Sequence, residues 1–333
     1  MDARQFIEDV KEKYGEKVED SKDESNYFDV IPTPSLALNI STGIGGIPTR
    51  RFTQIYGPKS VGKSTLALLC TKNVLVNGEN ALYLDIEGTT DYGYARLLLG
   101  DLVENLTILT PASGEDAGQV AEDAIKSGAF KMIILDSVGA LASKKMLEAE
   151  LTDQHYALIA RLLATWIPRN VYNMREQNVA FVFLNQVRDK IGSMFKSYTT
   201  PGGHALEHCL SLEVSCTSGL KIEEMIAGNK TVIGTNTKFT ISKNKVAPPF
   251  RSATIPFIYG KGIDEERDII EFASMLGVVK KAGSYFRYGE DTLGQGIANA
   301  SEYLRSNPEI SGLISSQCYS VLDLKNPLDK TEE

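Results

Sequence analysis

The stretch from Gln54 to Leu69, QIYGPKSVGKSTLALL, constrains the fold of this chain more than any other. A short apolar run ends at Tyr56, a loop follows, and a helical pattern opens at Thr65. The loop residues are Gly57, Pro58, Lys59, Ser60, Val61, Gly62, Lys63 and Ser64. The spacing G-x-x-x-x-G-K-[ST] between a strand and a helix is typical of a phosphate-binding loop, and the flanking elements argue against a glycine-rich turn without a ligand.

The residue types of this loop fit phosphate chemistry. Glycines let backbone N–H groups turn toward an anion, and the following helix presents its positive end. Lys63 adds a mobile charge, and Ser64 supplies a hydroxyl for Mg²⁺. The sequence therefore predicts an α/β core that binds a nucleoside triphosphate.

Carboxylates follow two buried strands of the predicted core. The continuous apolar run Ala81–Ile86 ends at Glu87, and Met132–Leu135 ends at Asp136. Such runs are expected of parallel strands that are covered on both faces. A carboxylate at the end of a strand can orient Mg²⁺ and its water, which favours Asp136 as the second half of the nucleotide site over a buried structural role.

Composition excludes several classes of protein. The 333 residues contain 42% hydrophobic and 23% charged residues, and no apolar stretch has the length of a membrane span. The N-terminus lacks the apolar region of a signal peptide, so we expect a cytoplasmic protein. Cys70, Cys209, Cys216 and Cys318 form no C-x-x-C pair and are interpreted as buried, reduced thiols. Because the net charge is −8, any binding of nucleic acid must be confined to a limited part of the protein surface.

The chain divides into four predicted parts: residues 1–27, 28–264, 265–326 and 327–333. An amphipathic helix over residues 3–15 is followed by an acidic linker, so the helix packs either on another subunit or on its own core. Residues 28–264 alternate strands and helices as in βαβ units. Residues 265–326 have the pattern of a small separate domain, and the remainder is a short acidic tail.

Two features of the core carry more specific expectations. Pro168 should kink or split a long helix over Asp153–Gln177. Strands are expected near Leu210–Thr217, Thr235–Ser242 and Ala253–Ile258, with Gly219–Gly234 as a polar connection.

The stretch Val187–Gly203 has no periodicity and contains three cations against one anion. Irregular loops of this length inside a compact domain are usually functional or disordered. Cations mixed with Met194, Phe195 and Tyr198 suit a contact that follows a nucleic-acid strand. A lid over the nucleotide is the competing interpretation.

An ordered set of motifs resembles the bacterial RecA recombinases from about residue 28 to 315. The motifs are YGPKSVGKS, LDIEGTTD, LDSVGAL, LNQVRDKIGSMF, the pair Gly202-Gly203, SKNKVAPPF, YGKGI and GQGIANASEYL. The resemblance implies a RecA-type P-loop ATPase core with a mostly parallel central sheet, an N-terminal helix arm for polymerisation and a small α+β C-terminal domain. The first-loop segment SKKMLEAEL resembles viral relatives as much as bacterial ones, so a phage-encoded recombinase also fits.

The resemblance also implies an activity. Such a protein forms helical filaments on single-stranded DNA, pairs it with homologous duplex DNA and hydrolyses ATP, with Mg²⁺, at subunit interfaces. It serves DNA repair and the SOS response to DNA damage near the nucleoid, and single-strand-binding or loader proteins are potential partners. The alternatives are a hexameric helicase motor on the same core, and a scaffold that binds DNA and nucleotide without hydrolysis.

Site roles follow from the matched motifs. Gly57 to Ser64 would hold the phosphates with Thr65 beside them, and Asp136 with Ser64 would hold Mg²⁺, Asp136 through water. Glu87 would be the general base, and Gln186 would sense the γ-phosphate. Besides Lys63, the resemblance implies catalytic cations on the neighbouring subunit, Lys243 and Lys245. Residues near the adenine would be Asp91, Tyr94 and Tyr259.

DNA contacts would come from a first loop over about Leu147–His155 and from Val187–Gly203. The implied residues are Arg161, Arg188, Lys190, Ile191, Met194, Phe195, Lys196, Gly202 and Gly203. Two departures from the family pattern stand out. The linker Glu16–Glu24 is acidic where an apolar strand is usual, and His204, Glu207 and His208 replace an Asn, a basic residue and an aromatic.

Overall fold

The computed structural model describes residues 2–14, 28–148, 157–189 and 198–328. The helices are α1 Ala3–Tyr14, α2 Leu36–Thr42, α3 Lys63–Val76, α4 Tyr92–Leu99, α5 Gly114–Ser127, α6 Lys144–Glu148, α7 Ala157–Glu176, α8 Gly203–Cys209, α9 Glu265–Met275, α10 Gly296–Ser306 and α11 Pro308–Val321. The strands are β1 Val30–Ile31, β2 Ile47–Pro48, β3 Phe52–Gly57, β4 Ala81–Asp85, β5 Leu106–Leu109, β6 Met132–Asp136, β7 Ala180–Gln186, β8 Arg188–Asp189, β9 Tyr198–Thr199, β10 Leu210–Ile226, β11 Asn229–Asn244, β12 Ser252–Ile258, β13 Gly262–Ile263, β14 Lys280–Ala282, β15 Tyr285–Tyr288 and β16 Asp291–Gln295.

A nine-stranded sheet in the order β13-β12-β11-β10-β3-β7-β6-β4-β5 forms the centre of the molecule. The strands from β10 to β5 in this order are parallel, and β11, β12 and β13 add antiparallel pairs at one edge. The parallel strands β4, β6 and β7 are apolar along nearly their whole length, as strands covered on both faces must be. The predicted α/β class with a mostly parallel sheet is confirmed.

Two apolar layers cover this sheet. On one face α2, α3 and α4 bury Leu38, Leu66 and Leu99 against the strands. On the other face α5 and α7 cover an aromatic cluster in which the Trp166 ring lies 5.2 Å from the Phe181 ring. This burial fixes the ends of the parallel strands, where the functional side chains lie.

The segment Gly219–Gly234 is not a connection but the outer half of a long hairpin. Lys221 pairs with Thr235 and Ile226 with Asn229, so β10 and β11 continue almost to the turn. Ala227 and Gly228 close it with φ values of +50° and +81°, the left-handed pair that a two-residue hairpin turn needs. Polar composition concealed these strands because most of their side chains are exposed.

The long helix is continuous through Pro168, so of the expected kink or split the split is wrong. Pro168 and Ala164 both lie on the exposed face of α7. The carbonyl that loses its hydrogen-bond donor there can bind water instead, which makes proline tolerable. Residues 153–156 of the expected helix lie outside the described residues.

The C-terminal region builds its own apolar cluster. Phe286 and Leu293 of the three-stranded sheet pack with Leu304 and Ile314 of the last two helices. Leu36 and Ile40 of α2 belong to the same cluster. Side-chain packing, in addition to the polypeptide connection, therefore joins this region to the core. None of the helices within the described ranges has the length and apolar character needed to cross a bilayer.

Candidate functional site

The predicted phosphate loop lies between β3 and α3, in the middle of the sheet. A side chain on Gly57 would come within 2.4 Å of the Cys216 carbonyl oxygen, so only glycine fits there. Gly62 precedes α3 with φ +90°, a conformation that glycine adopts without strain. The Thr237 hydroxyl donates to the Val61 carbonyl at 3.1 Å and anchors the loop to β11 of the same sheet. The helix begins at Lys63, two residues before the predicted start.

The Lys63 ammonium folds back over the loop. It donates to the Pro58 carbonyl at 2.6 Å and to the Gly57 carbonyl at 3.2 Å. Burial lowers its pKa, while the negative charges of Asp136 and Glu87 act in the opposite direction. A polyphosphate in the loop would replace these carbonyls with stronger anionic partners.

Asp136 ends β6 directly beside the start of α3. Its Oδ2 accepts hydrogen bonds from the Ser64 hydroxyl at 2.7 Å and from the Tyr83 hydroxyl at 2.5 Å. Burial raises the pKa of Asp136, and the nearby charges of Glu87 and Asp85 raise it further, whereas the two hydrogen bonds lower it. The pairing of Ser64 with Asp136 provides the oxygen donors that Mg²⁺ prefers.

Glu87 is held by two side chains. Its Oε1 accepts hydrogen bonds from the Ser137 hydroxyl at 2.7 Å and from the Gln186 amide at 2.9 Å. The backbone N–H of Ile86 also donates to the Asp136 carbonyl at 2.7 Å, so the ends of β4 and β6 are joined. The structure therefore brings Glu87, Asp136 and Gln186 to one edge of the sheet.

The three residues expected near an adenine differ in their contacts and exposure. The Tyr94 and Thr65 hydroxyls lie 3.0 Å apart, which connects α4 to the phosphate-loop helix. Asp91 caps α4 by accepting from the Tyr94 N–H at 3.1 Å. Tyr259 follows β12 with 62% of its surface exposed, and its backbone N–H donates to the Ile233 carbonyl at 2.9 Å.

Lys243 and Lys245 do not contact the phosphate loop of their own chain. Lys243 donates to the Glu207 carbonyl, and Lys245 donates to the His208 carbonyl at 2.6 Å. Both cations thus bind the C-terminal end of α8, where carbonyl oxygens lack helical partners. On the same helix His204 Nδ1 lies 3.1 Å from the Glu207 carboxylate.

The described DNA candidates surround the ends of the predicted second loop. Arg188 in β8 is exposed and donates to the Gly139 carbonyl at 3.4 Å, and β8 pairs with β9 across the loop. Gly202 and Gly203 start α8 with φ values of +117° and +71°. Arg161 is exposed on α7. Lys190, Ile191, Met194, Phe195 and Lys196 lie outside the described residues, as does most of the first loop.

Three side chains of the site are not predicted by the sequence motifs. Tyr83 and Ser137 bind the two carboxylates, and the buried Asn185 donates to the Gln54 side chain at 3.1 Å and to the Pro201 carbonyl at 2.8 Å. Asn185 therefore connects β3, β7 and the end of the second loop. Ser137 and Asn185 adjoin Asp136 and Gln186 in sequence, a signal that was available, whereas Tyr83 resembled any buried strand residue.

A phosphate loop at the centre of a mostly parallel sheet, with carboxylates at the neighbouring strand ends, defines the class of P-loop nucleoside triphosphatases. Sequence models described as "RecA N-terminal domain" and "RecA C-terminal domain" match residues 3–264 and 267–322. The chain belongs to the RecA family, whose members are DNA-dependent ATPases of recombination and repair.

Named relatives extend over most of the chain. It is 43% identical to Protein RecA of Thermus aquaticus over 284 residues, which cover 85% of this chain and 82% of that protein. It is 38% identical to Protein RecA of Bacillus velezensis over 324 residues, 96% and 90% of the two chains. It is 38% identical to Protein RecA of Bacillus subtilis over 315 residues, which cover 94% of this chain and 87% of that protein.

Proposed function

We propose that the chain is an ATP-dependent homologous recombinase that forms filaments on single-stranded DNA and exchanges strands with homologous duplex DNA. One observation carries the catalytic part: Glu87 is positioned by Ser137 and Gln186 next to the pair formed by Ser64 and Asp136. A general base, a γ-phosphate sensor and an Mg²⁺ site thus lie at one end of the phosphate loop.

The reaction proposed is hydrolysis of the terminal phosphate. Glu87 accepts a proton from water as the water oxygen bonds to the γ-phosphorus, and the bond to the bridging oxygen of ADP breaks. The two hydrogen bonds to Oε1 hold this end of the carboxylate in place for the step. Lys63 stabilises the charge on the phosphates, and Mg²⁺ held at Ser64 and Asp136 would add further neutralisation.

Metal binding would depend on the substrate. Within the part of the chain that the structure describes, no cluster of three or more His, Cys, Asp or Glu side chains could hold a metal ion alone. Mg²⁺ usually binds one or two protein oxygens together with substrate phosphates and water. The oxygens of Ser64 and Asp136 fit that mode.

Polymerisation would complete the site. Lys243 and Lys245 would leave the carbonyls of α8 and reach the γ-phosphate held by a neighbouring subunit, as an arginine finger does in other ATPases. Residues 1–27 would serve as the polymerisation arm, 28–264 as the ATPase core and 265–326 as a small C-terminal domain. An isolated subunit would then turn over ATP slowly.

DNA would bind along the filament axis. Arg161, Arg188 and the glycines Gly202 and Gly203 would contribute, together with the loop residues between β8 and β9. Repeating a small cationic loop once per subunit lets a chain of net charge −8 bind a polyanion. Replacing both Phe195 and Arg188 by alanine should abolish stimulation by DNA while ATP still binds, and unchanged stimulation would contradict the DNA assignment.

Two further experiments test the proposed function. ATP turnover with single-stranded DNA should fall at least about a hundredfold in Glu87→Gln, since general-base catalysis contributes 10²–10⁴. The exposed Glu104→Gln serves as the matched control. Unchanged turnover in Glu87→Gln would overturn the catalytic role.

Electron microscopy with single-stranded DNA and a non-hydrolysable ATP analogue tests the assembly. Helical filaments support strand exchange, whereas closed rings alone would favour the helicase motor.

A further inference from the structure

A half-buried carboxylate lies beside the two lysines that are proposed to reach a neighbouring subunit. Glu213 of β10 is paired directly with Lys243 of β11, and both side chains line a cleft of about 340 Å³. Lys243 donates its hydrogen bond to the Glu207 carbonyl instead of the Glu213 carboxylate. Among the described residues, the charges that favour ionised Glu213 are those of Lys243 and Lys245. The carboxylate therefore acts on the lysines through its charge.

A β-bulge brings this carboxylate opposite a lysine. The pairing of β10 with β11 shifts at Glu213, so Ser242 is the extra residue of β11 and Lys243 becomes the partner. The Ser242 hydroxyl donates to the Glu213 carbonyl at 3.2 Å and accepts from the Tyr56 hydroxyl at 3.1 Å. A regular register would place Ser242 opposite Glu213 and turn Lys243 to the other face of the sheet. The bulge thus creates the pairing of the carboxylate with the lysine.

Lys245 belongs to the same arrangement. Its backbone N–H donates to the Ser211 carbonyl at 2.8 Å, so the two chains stay paired beyond the end of β11. Because alternate residues of an extended chain face the same side, Lys245 lies on the face of Lys243, diagonally across from Glu213. Partial burial, Lys243 and Arg51 lower the pKa of Lys245. The charge of Glu213 acts in the opposite direction.

The other titratable groups around the cleft have different effects. The Glu207 carboxylate on α8 lies 3.1 Å from His204 Nδ1. Burial raises the pKa of Glu213, and the charge of Glu207 raises it further, whereas the two lysines lower it. His208 of α8 lines the cleft and would add positive charge when protonated. Burial raises the pKa of the nearby Cys209 thiol to about 12, so this thiol carries no charge at neutral pH.

We propose that Glu213 is a positioning residue for the proposed hydrolysis, because its carboxylate is the counter-charge that keeps Lys243 and Lys245 cationic side by side. Two neighbouring ammonium groups disfavour each other's charge, and a nearby carboxylate offsets this repulsion. The inference rests on the proposed role of the two lysines at the γ-phosphate of a neighbouring subunit, where a lysine that has lost its proton would no longer stabilise the charge.

Competitive acetylation of the full-length protein without DNA or nucleotide tests the counter-charge directly. Only an unprotonated amine reacts, so the rate at about pH 8, well below the ordinary pKa of lysine, measures how easily each lysine loses its proton. In Glu213→Gln the rates of Lys243 and Lys245, relative to the exposed Lys280, should rise at least about threefold, since an opposite charge at this range shifts a pKa by about one unit or more.

Two control variants separate charge from structure. Glu213→Asp keeps the charge, so its acetylation rates should stay within about twofold of wild type. Glu224→Gln removes an exposed carboxylate from the same strand and should also leave the rates unchanged. Unchanged rates in Glu213→Gln, or rates that rise equally in Glu213→Asp, would overturn the proposal.

The pH profile of DNA-stimulated ATP turnover connects the counter-charge to the reaction. From about pH 7 to 9, turnover should decrease at least about threefold more in Glu213→Gln than in wild type or Glu213→Asp, because the lysines lose their protons at lower pH. Raised acetylation rates with an unchanged pH profile would uphold the counter-charge and contradict the proposed role of the lysines in hydrolysis. The failure of this inference is therefore distinguishable from the failure of the proposed function.

Discussion

Asp268 is a buried carboxylate on α9 whose ionisation should make the stability of the protein depend on pH. Its Oδ2 accepts hydrogen bonds from the Ser35 hydroxyl at 3.0 Å and from the Ala37 N–H at 3.2 Å, at the N-terminus of α2. Within the described structure its Oδ1 is buried without a hydrogen-bond partner. Burial raises the pKa of Asp268 from its ordinary value of 3.8 to about 7, although these hydrogen bonds favour the ionised form.

The direction of the effect follows from the two pKa values. Below pH 3.8 the carboxyl is protonated in both folded and unfolded chains, and its ionisation costs the fold nothing. Between 3.8 and about 7 the unfolded chain releases the proton first, so the free energy of unfolding falls as the pH rises. The full cost, about 4 kcal/mol at 1.36 kcal/mol per pKa unit, is reached above pH 7. Between pH 5 and 8 the loss is about 2 to 3 kcal/mol.

Replacing this carboxyl by an amide removes the pH dependence. Asp268→Asn carries a constant cost of about 1 to 3 kcal/mol, because a buried donor takes the place of an acceptor. Urea unfolding of both proteins from pH 5 to 8 should show the wild type losing about 2 to 3 kcal/mol relative to the variant. The fully exposed Asp101→Asn is the control and should follow the wild type. A difference between wild type and Asp268→Asn that is equal at pH 5 and pH 8 would refute the reasoning.

Three further predictions concern the nucleotide site. Tyr83→Phe removes the 2.5 Å donor from Asp136, so the Mg²⁺ concentration for half-maximal ATP turnover should rise about tenfold, since hydrogen bonds to charged groups contribute about 1.5 to 3 kcal/mol. Ser137→Ala removes the hydrogen bond from the Ser137 hydroxyl to Glu87, and kcat should fall about tenfold with KM unchanged. An equal rise in KM would instead indicate lost substrate binding. Gly57→Ala places a methyl 2.4 Å from the Cys216 carbonyl and should abolish nucleotide binding in calorimetry.

Local spacing was sufficient to predict part of the site. The phosphate loop and the carboxylates after β4 and β6 lie within single motifs, and parallel strands bring their carboxyl ends to one edge. Glu87 and Gln186 were therefore predictable as neighbours, and the structure places their side chains in contact. Tyr83 was not predictable, because its hydroxyl reaches Asp136 only through the pairing of β4 with β6, which no local pattern specifies.

The errors have a common physical origin. The Gly219–Gly234 segment was misassigned because its strands obtain stability from cross-strand hydrogen bonds between residues distant in sequence, and not from an apolar pattern. The continuity of α7 at Pro168 depends on solvent at that face, which sequence alone does not reveal. The expected contact of Lys243 and Lys245 with a neighbouring subunit is not one of these errors and stays a prediction; within their own chain, the position of the end of α8 determines their partners.

The position of α8 connects the end of the predicted DNA-binding loop to the two lysines. The helix starts at Gly203, and its last carbonyls bind Lys243 and Lys245, so a shift of the helix moves both cations. Gly202→Ala should cause such a shift, because a methyl there would lie 2.5 Å from Leu206 Cδ2 at a φ of +117°.

DNA-stimulated ATP turnover should therefore fall at least about tenfold in Gly202→Ala, while binding of a nucleotide analogue stays within about twofold, because the phosphate loop is unchanged. Gly312→Ala in α11, where an added methyl meets no atom within 4 Å, is the control and should leave turnover unchanged. Equal losses of nucleotide binding and turnover would show that the substitution perturbs the core and not the connection through α8.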